Sequence, residues 1–141
     1  MSSQRKFGII QNMNFKKLHD KASKISASRK LSKYANCGGV GCALLTKKGK
    51  IHTGICIDVC CGIGFCAEHS AIAEMLKNGE SEIKEILAVK ESRGNSIISS
   101  CGRCRELMLQ INVNNKNTIV NLPKGKTAKL SKLLPSHWMK I

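Results

Sequence analysis

The chain has 141 residues, 42% hydrophobic and 4% aromatic, which is enough for one globular domain with an aliphatic core. This composition excludes a disordered chain, and the longest clean apolar run, VGCALL, is far too short to span a membrane. The net charge of +15 allows a polyanionic partner, but the basic residues are spread along the chain without interleaved aromatic residues, which disfavours nucleic acid.

The first predicted element is a helix that follows a basic, loosely ordered lead-in over residues 1–13. Asn14 is suited to cap this helix, because its side chain can accept a hydrogen bond from an unpaired N–H group of the first turn. The helix is predicted to end near Ile25. One apolar stripe should face the core, made of Phe15, Leu18, Ala22 and Ile25.

Two strands and a second helix are predicted next. The stretch YANCGGVG is typical of a turn, VGCALLT of a buried strand, and KKGK of a hairpin turn into the strand IHTGICI. The loop CCGIG then leads through Cys66 into a helix from about Ala67 to Leu76. Its core-facing residues should be Ala71, Ile72, Met75 and Leu76.

The C-terminal half continues to alternate strands with helices. IKEILAVK and NTIVNL are predicted strands, and SIISS leads into a third helix from Arg103 to about Gln110. KGK then turns the chain towards a short closing helix, LSKLLP. No repeat or linker is visible, so residues 14–141 are predicted to form one domain, an α/β sandwich with a mixed sheet.

The eight cysteines indicate metal binding more than disulfides. The N-terminal stretch lacks the apolar core of a secretory signal, so we expect a cytoplasmic protein, in which C-x-x-C is typical of metal binding or catalysis. Cys101 and Cys104 form such a pair at the start of the third predicted helix, and Cys66 starts the second. Three protein ligands leave the fourth tetrahedral position for water, as in catalytic zinc sites.

The alternative is a closed structural zinc site, with Cys60, Cys61 or His69 as the fourth ligand. Glu68 favours the catalytic alternative, because a carboxylate two residues from a ligand can move the protons of a metal-bound water. Three thiolates and one Zn²⁺ carry a net negative charge, and Arg103, between the paired cysteines, is predicted to offset it.

At these motifs the sequence resembles the cytidine deaminase superfamily. CAEHSAI is similar to the family's C-A-E helix start, and CGRCREL to its C-G-x-C-R-x-L helix start. VGCALLTKKGKIHTG looks like its opening hairpin and KLLPSHW like its closing L-L-P-x-x-aromatic segment, so the resemblance covers about residues 14–141. It implies a three-layer αβα sandwich with a mixed central sheet of about five strands, and a homotetramer whose subunits complete each other's sites.

The resemblance also implies roles for individual residues. One Zn²⁺ per chain would be bound by Cys66, Cys101 and Cys104. Glu68 would carry protons while water attacks C4 of a cytosine ring and ammonia leaves. The backbone of Ala67 would receive the pyrimidine O2, and Trp138 would stack on the base in a neighbouring subunit's site.

The chain departs from the family's pattern where a sugar would bind. Cytidine deaminases carry Asn-x-Glu before the zinc loop, and this chain has Cys56 and Asp58 there. Asp58 is therefore the candidate sugar-binding residue, with Asn36 as the next. The Arg that cytidine enzymes carry after C-A-E is His69 here, while an Arg at position 103 is similar to the blasticidin-S deaminases, which also lack the ribose glutamate.

The predicted function is a zinc-dependent hydrolytic deaminase. It would convert a cytosine-type nucleoside, such as cytidine, deoxycytidine or a blasticidin S-like compound, to the uracil form. One alternative is a nucleic-acid deaminase, suggested by the charge but opposed by Cys66, where those enzymes usually carry His. The other alternative is a non-catalytic zinc protein. No membrane association is expected.

Overall fold

The computed structural model describes the backbone of residues 3–140 and the side chains of residues 13–140, and its architecture is α/β, as predicted. The α-helices of this part of the chain are α1 (Ser3–Ile25), α2 (Ala67–Lys77) and α3 (Gly102–Ile111). Its strands are β1 (Arg29–Lys30), β2 (Ala35–Thr46), β3 (Ile51–Val59), β4 (Ile83–Lys90), β5 (Ser96–Ile98), β6 (Ile119–Leu122) and β7 (Lys126–Lys129). None of the helices in residues 3–140 combines the length and apolarity that a bilayer crossing requires.

The strands form one mixed sheet. Five of them run in the order β3, β2, β4, β6, β7, and all neighbours are antiparallel except β4 and β6, which are parallel. The two remaining strands, β1 and β5, are only two and three residues long and extend the edges of β2 and β4. The sheet therefore has seven strands where about five are predicted. Strands of two or three residues are too short to show the alternation of apolar and polar residues by which a strand is predicted.

Helices cover both faces of the sheet, which confirms the three-layer sandwich. Side chains alternate along β2: Cys42 and Leu44 belong to the apolar core under α2 and α3, and Ala43 and Leu45 belong to the core under α1. The strand is buried on both faces, so it is a continuous apolar run and not an alternating one.

Helix α1 begins earlier than predicted. It starts at Ser3 and not after Asn14, so Asn14 lies inside the helix and does not cap it. No proline interrupts residues 3–13, and Gln, Arg, Lys and Met are good helix formers, so the helix continues through the segment predicted as a lead-in. The side chains of residues 1–12 lie outside the described part. Of the predicted apolar stripe, Leu18 and Ala22 are fully buried.

The glycine-rich stretch predicted as a turn is part of β2. The strand begins at Ala35, and its pairing with β3 shifts register between Cys37 and Gly41, as at a β-bulge. Gly38 and Gly39 have φ of +78° and +85°, which side-chain-bearing residues rarely adopt. Both glycines line the same cavity as Cys66 and Glu68.

Two smaller predictions also need correction. Leu76, predicted to face the core at the end of α2, is 43% exposed, because at about 100° per residue it lies at the edge of the face that buries Ala71, Ile72 and Met75. The predicted closing helix is a single 3-10 turn, Leu130–Leu133, which follows β7. The turn predicted at KGK in fact leads into that short strand.

Gly54 allows α2 to pack unusually close to β3. A Cβ atom built at Gly54 would lie 2.3 Å from the backbone nitrogen of Ala71 and 2.6 Å from the carbonyl oxygen of Ala67. Real Cβ atoms do not approach backbone atoms this closely, so only glycine fits between this strand and this helix. The contact sets the position of the first turn of α2, which carries the functional residues.

Candidate active site

Three thiols meet at the starts of two helices. Cys66 is the N-cap residue of α2, Cys101 is the N-cap residue of α3, and Cys104 lies in the first turn of α3. The Sγ atoms of Cys66 and Cys101 are 3.6 Å apart, those of Cys101 and Cys104 are 3.4 Å apart, and all three lie within 4.8 Å of one another. The two helix N-termini direct unpaired N–H groups and the positive ends of their dipoles at the sulfurs, which favours thiolates.

This geometry fits a zinc ion. Zn–S bonds of about 2.3 Å in a tetrahedron place sulfurs about 3.8 Å apart, close to the separations found here. Within residues 13–140 no other His, Cys, Asp or Glu side chain joins the three sulfurs in such a group. The alternative fourth ligands Cys60 and Cys61 are exposed, with Cys60 Sγ 4.0 Å from the carbonyl oxygen of Tyr34. His69 is the remaining alternative, and its Nδ1 lies 3.4 Å from Cys104 Sγ without joining the group of three. The three grouped thiols would leave a fourth tetrahedral position for another ligand.

The thiols differ in their electrostatic surroundings. Burial raises the pKa of Cys104 far above its usual range, and the nearby carboxylate of Glu68 adds to this effect. Burial also raises the pKa of Cys66. At Cys101 burial is outweighed by hydrogen bonds, chiefly from the backbone N–H of Cys104, and the pKa is lowered. Binding of a cation must therefore displace protons from Cys66 and Cys104, which couples metal affinity to pH.

Glu68 lies beside the thiols in the first turn of α2. Its side chain is only 5% exposed, and its Oε2 atom lies 3.6 Å from Cys104 Sγ. Burial raises the pKa of this carboxyl, although its own backbone N–H and the Cys104 thiol oppose the shift. A buried carboxyl with a raised pKa next to a metal site is suited to exchange protons.

Besides Glu68, the side chain that contacts a sulfur from outside the ligand set is His69, whereas Arg103 was predicted for this place. His69 Nδ1 lies 3.4 Å from Cys104 Sγ. Burial lowers the pKa of His69, and the positive charge of Arg103 lowers it further, so a neutral ring can donate its Nδ1–H to the thiolate. No hydrogen bond from the Arg103 side chain to a sulfur is found in the described part of the chain, but its backbone N–H is one of the donors that lower the pKa of Cys101. Arg103 also lines the adjoining cavity. In the sequence, the position of His69 directly after Glu68 is the feature that could have indicated this contact.

A cavity of about 700 Å³ opens onto the thiols and Glu68. Such a volume lies in the range of small-molecule sites. Its wall includes Ala67 and Asp58, two of the predicted substrate-binding residues, and also Phe65, which is the aromatic residue of this wall and was not predicted. Cys56 Sγ donates to the carbonyl oxygen of Gly38 at 2.8 Å and lies 3.9 Å from Asp58 Oδ2.

Two predicted substrate residues do not line this cavity. Asn36 pairs with Asp58 across β2 and β3, but it is exposed and lies outside the cavity wall. Trp138 is 75% exposed, and its Nε1–H donates to Glu106 Oε1 at 2.8 Å. His137 is held by the other oxygen of Glu106, at 2.6 Å. The tryptophan is therefore fixed to the outer part of α3, away from the cavity of its own chain.

Comparisons with known proteins agree with this geometry. Residues 14–120 match the family model described as the cytidine and deoxycytidylate deaminase zinc-binding region. The chain is 36% identical over 76 residues to a blasticidin-S deaminase from Bacillus cereus, a match covering 49% of this chain and 54% of that protein. It is 32% identical over 87 residues to a protein from Dictyostelium discoideum named "Probable cytidine deaminase", covering 58% of each. The matches thus span little more than half of these curated relatives.

Solved structures show the same fold along almost their whole length. The cytidine deaminase from Mycobacterium tuberculosis superposes with a TM-score of 0.72 at 24% identity, over 89% of this chain and 98% of that one. The cytidine deaminase from Burkholderia pseudomallei superposes with a TM-score of 0.68 at 26% identity, over 87% of this chain and 98% of that one.

Proposed function

The chain belongs to the cytidine and deoxycytidylate deaminase family, and from that premise we propose that it hydrolyses the exocyclic amine of a cytosine-type nucleoside, giving the uracil form and ammonia. The zinc-binding region of the family and the three clustered thiols fit one zinc ion per chain. The observation that carries the proposal is the buried carboxyl of Glu68, which stands between these thiols and a cavity of about 700 Å³.

Zinc held by the three cysteines would supply a Lewis acid that makes a water molecule acidic enough to attack at neutral pH. Glu68 takes the proton that this water loses, and delivers it to N3 of the pyrimidine as the oxygen adds to C4. Glu68 then passes the second proton of the water to the amino group, which leaves as ammonia. One water is consumed for each ammonia released, and the carboxylate ends in its initial state.

The remaining residues of the chain position the substrate. The backbone N–H of Ala67, at the start of α2, would donate a hydrogen bond to the pyrimidine O2, because the first N–H groups of a helix have no partner within the helix. Phe65 offers an aromatic face in the cavity wall. His69 stabilises the thiolate of Cys104 and keeps that ligand in place, a role predicted for Arg103.

Asp58 is the proposed contact for the sugar. It lies in the cavity wall at the end of β3 and is exposed to a ligand there. One carboxylate replaces the Asn-x-Glu pair of cytidine deaminases, so we propose weak discrimination between sugars and include blasticidin S-like compounds among the substrates. Arg103, also in the cavity wall, gives the site a positive charge that can pair with a negatively charged group of such compounds.

The proposed assembly is a homotetramer with shared sites. Trp138 is 75% exposed and hydrogen-bonded to Glu106, which is an arrangement suited to an aromatic side chain that inserts into another subunit. We propose that it stacks on the base in a neighbouring cavity. We also propose a cytoplasmic location, since all eight cysteines are free thiols.

The test is ammonia release by the zinc-loaded protein. Cytidine, deoxycytidine, blasticidin S, free cytosine and a cytosine-containing single-stranded oligonucleotide are offered in parallel, with the Glu68→Gln variant as a control. We expect turnover of at least one nucleoside and none of the oligonucleotide. Turnover of the oligonucleotide alone would identify a nucleic-acid deaminase, and no turnover of any of these compounds would contradict the proposed activity and favour a non-catalytic zinc protein.

A further inference from the structure

A second cavity lies on the other side of the sheet, under α1. Its volume is about 200 Å³, and its wall is built from α1, the hairpin between β2 and β3, and the start of β4. The two cavities lie near opposite ends of β2, since Val40 lines the first and Thr46 the second. Six residues of strand correspond to about 20 Å, so the second cavity is separate from the catalytic one.

Three lysines from three different elements converge on this second cavity. Lys17 belongs to α1, Lys47 to the hairpin and Lys84 to β4. Lys47 Nζ is paired with Glu82 at 3.2 Å. Within the described residues, Lys17 and Lys84 have no carboxylate within ion-pair distance. The wall therefore carries more positive than negative charge.

One further carboxyl, that of Glu85, lies near Lys84, whose positive charge opposes the effect of burial on the pKa of Glu85. Glu85 follows Lys84 in β4 and is 5% exposed. Burial raises the pKa of Glu85, and the side-chain amide of Asn121 already donates to it at 2.9 Å. Like charges gathered around one concave surface attract an anion, because its binding removes their mutual repulsion.

The wall also has an apolar floor. Thr46 is fully buried, and its Oγ1 accepts the backbone N–H of Lys50 at 3.0 Å, which joins the two sides of the hairpin that carries Lys47. Leu18 and Leu45 form the apolar part of the wall, which lowers the screening of the charges.

We propose that this cavity is a second ligand site, which binds a small anion with two or more phosphoryl groups through Lys17, Lys47 and Lys84. A water molecule occupies about 30 Å³ of liquid, so the cavity holds the volume of roughly six or seven waters, enough for a diphosphate but not for a nucleoside as well. The ligand is either free pyrophosphate or the phosphate end of a nucleotide whose remainder stays outside. The proposal is independent of the substrate of the catalytic cavity.

Calorimetric titration of the zinc-loaded protein with pyrophosphate, at constant ionic strength and with sulfate as a competitor, tests this site. We expect saturable binding at one site per chain, weakened at least ~10-fold by Lys17→Gln or Lys84→Gln, because each removes a charged donor. Lys132→Gln, which removes an exposed lysine elsewhere, should change the affinity less than ~2-fold.

Adenosine triphosphate in a parallel titration distinguishes the two sources of the phosphates. Tighter binding than pyrophosphate, lost in the same two lysine variants, identifies a nucleotide, and equal binding identifies pyrophosphate itself. The proposal is overturned if the wild-type protein binds neither anion at millimolar concentration. It is also overturned if the variants bind as the wild type does, which would place the anion elsewhere, or if sulfate at equal concentration competes fully.

Discussion

The Oε2 atom of Glu68 lies 3.6 Å from the Sγ atom of Cys104, although the two residues are 36 positions apart in the chain. The contact exists because α2 and α3 pack side by side on one face of the sheet with their first turns adjacent. It places a proton carrier within reach of an ion bound by the three thiols.

The first prediction concerns the zinc ligands. Cys101→Ala and Cys104→Ala should each lose most of the one zinc ion per chain, because two remaining thiolates bind it too weakly. Metal analysis of the purified variants measures this. Cys60→Ala, which removes an exposed thiol, is the matched control and should keep its zinc. Equal zinc loss in that control would show that the metal site is closed by a fourth cysteine.

The second prediction separates metal binding from catalysis. Glu68→Gln keeps the shape of the side chain but cannot carry a proton, so zinc should stay bound while kcat falls by at least ~10²-fold. Glu74→Gln, an exposed position on the same helix, should leave kcat within a factor of ~2, since it lies outside the cavity wall. Normal turnover by the Glu68 variant would show that Glu68 only stabilises the first turn of α2 and carries no proton.

The third prediction concerns the sugar. Ribose and deoxyribose forms of one substrate should differ by less than ~10-fold in kcat/KM, because the site lacks the buried pair that would reject a missing hydroxyl. Asp58→Ala should raise KM for nucleosides and leave free cytosine unaffected, whereas Asp20→Ala, on α1, should change neither. A strong preference for cytidine that is insensitive to Asp58 would move the search for the sugar contact to Asn36.

The fourth prediction is a pH dependence of the C-terminal segment. The hydrogen bonds that Glu106 accepts, first from Gln110 and then from His137 and Trp138, lower its pKa from 4.5 to about 2. A lowered pKa means that the contact stabilises the segment fully above pH 4.5 and is lost as the pH falls towards 2.

Fluorescence of Trp138, the one tryptophan of the chain, follows this transition. We expect its emission to change between pH 4.5 and 2 in the wild-type protein. Glu106→Gln should lack this step and show only the unfolding transition seen by circular dichroism. Identical titration curves for the two proteins would mean that Glu106 does not hold the tryptophan in solution.

The fifth prediction concerns the close contact between β3 and α2. Gly54→Ala puts a methyl group 2.3 Å from a backbone atom of α2, so the helix must move away from the sheet. Urea unfolding should show a loss of about 1–3 kcal/mol, and zinc content should fall because Cys66 moves with the helix. Gly102→Ala, where the added atom meets nothing within 4 Å, should retain both stability and zinc. Equal stability of the two variants would contradict the prediction.

Local spacing alone predicted much of the fold. The apolar period and the N-cap position place α2 from Ala67, as observed, and the predicted start of α3 at Arg103 is one residue from the observed Gly102. Helix periodicity also places Cys101 and Cys104 on one face, so the pairing of their sulfurs required no knowledge of the rest of the chain. The strands β1, β5 and β7 were not predicted. They are short, and each forms because a neighbouring strand offers hydrogen-bonding groups, which the local sequence does not indicate.

The sequence by itself determined which residue types are available and which of them share a helix turn, because those are properties of a few neighbouring residues. Only the tertiary structure decided that Cys66 meets Cys101 across 35 positions, that His69 contacts a sulfur and that Leu76 faces outwards. It likewise decided that Lys17, Lys47 and Lys84 surround one cavity. Such contacts depend on how helices pack on the two faces of the sheet, where close approaches such as that at Gly54 set distances that no local pattern encodes.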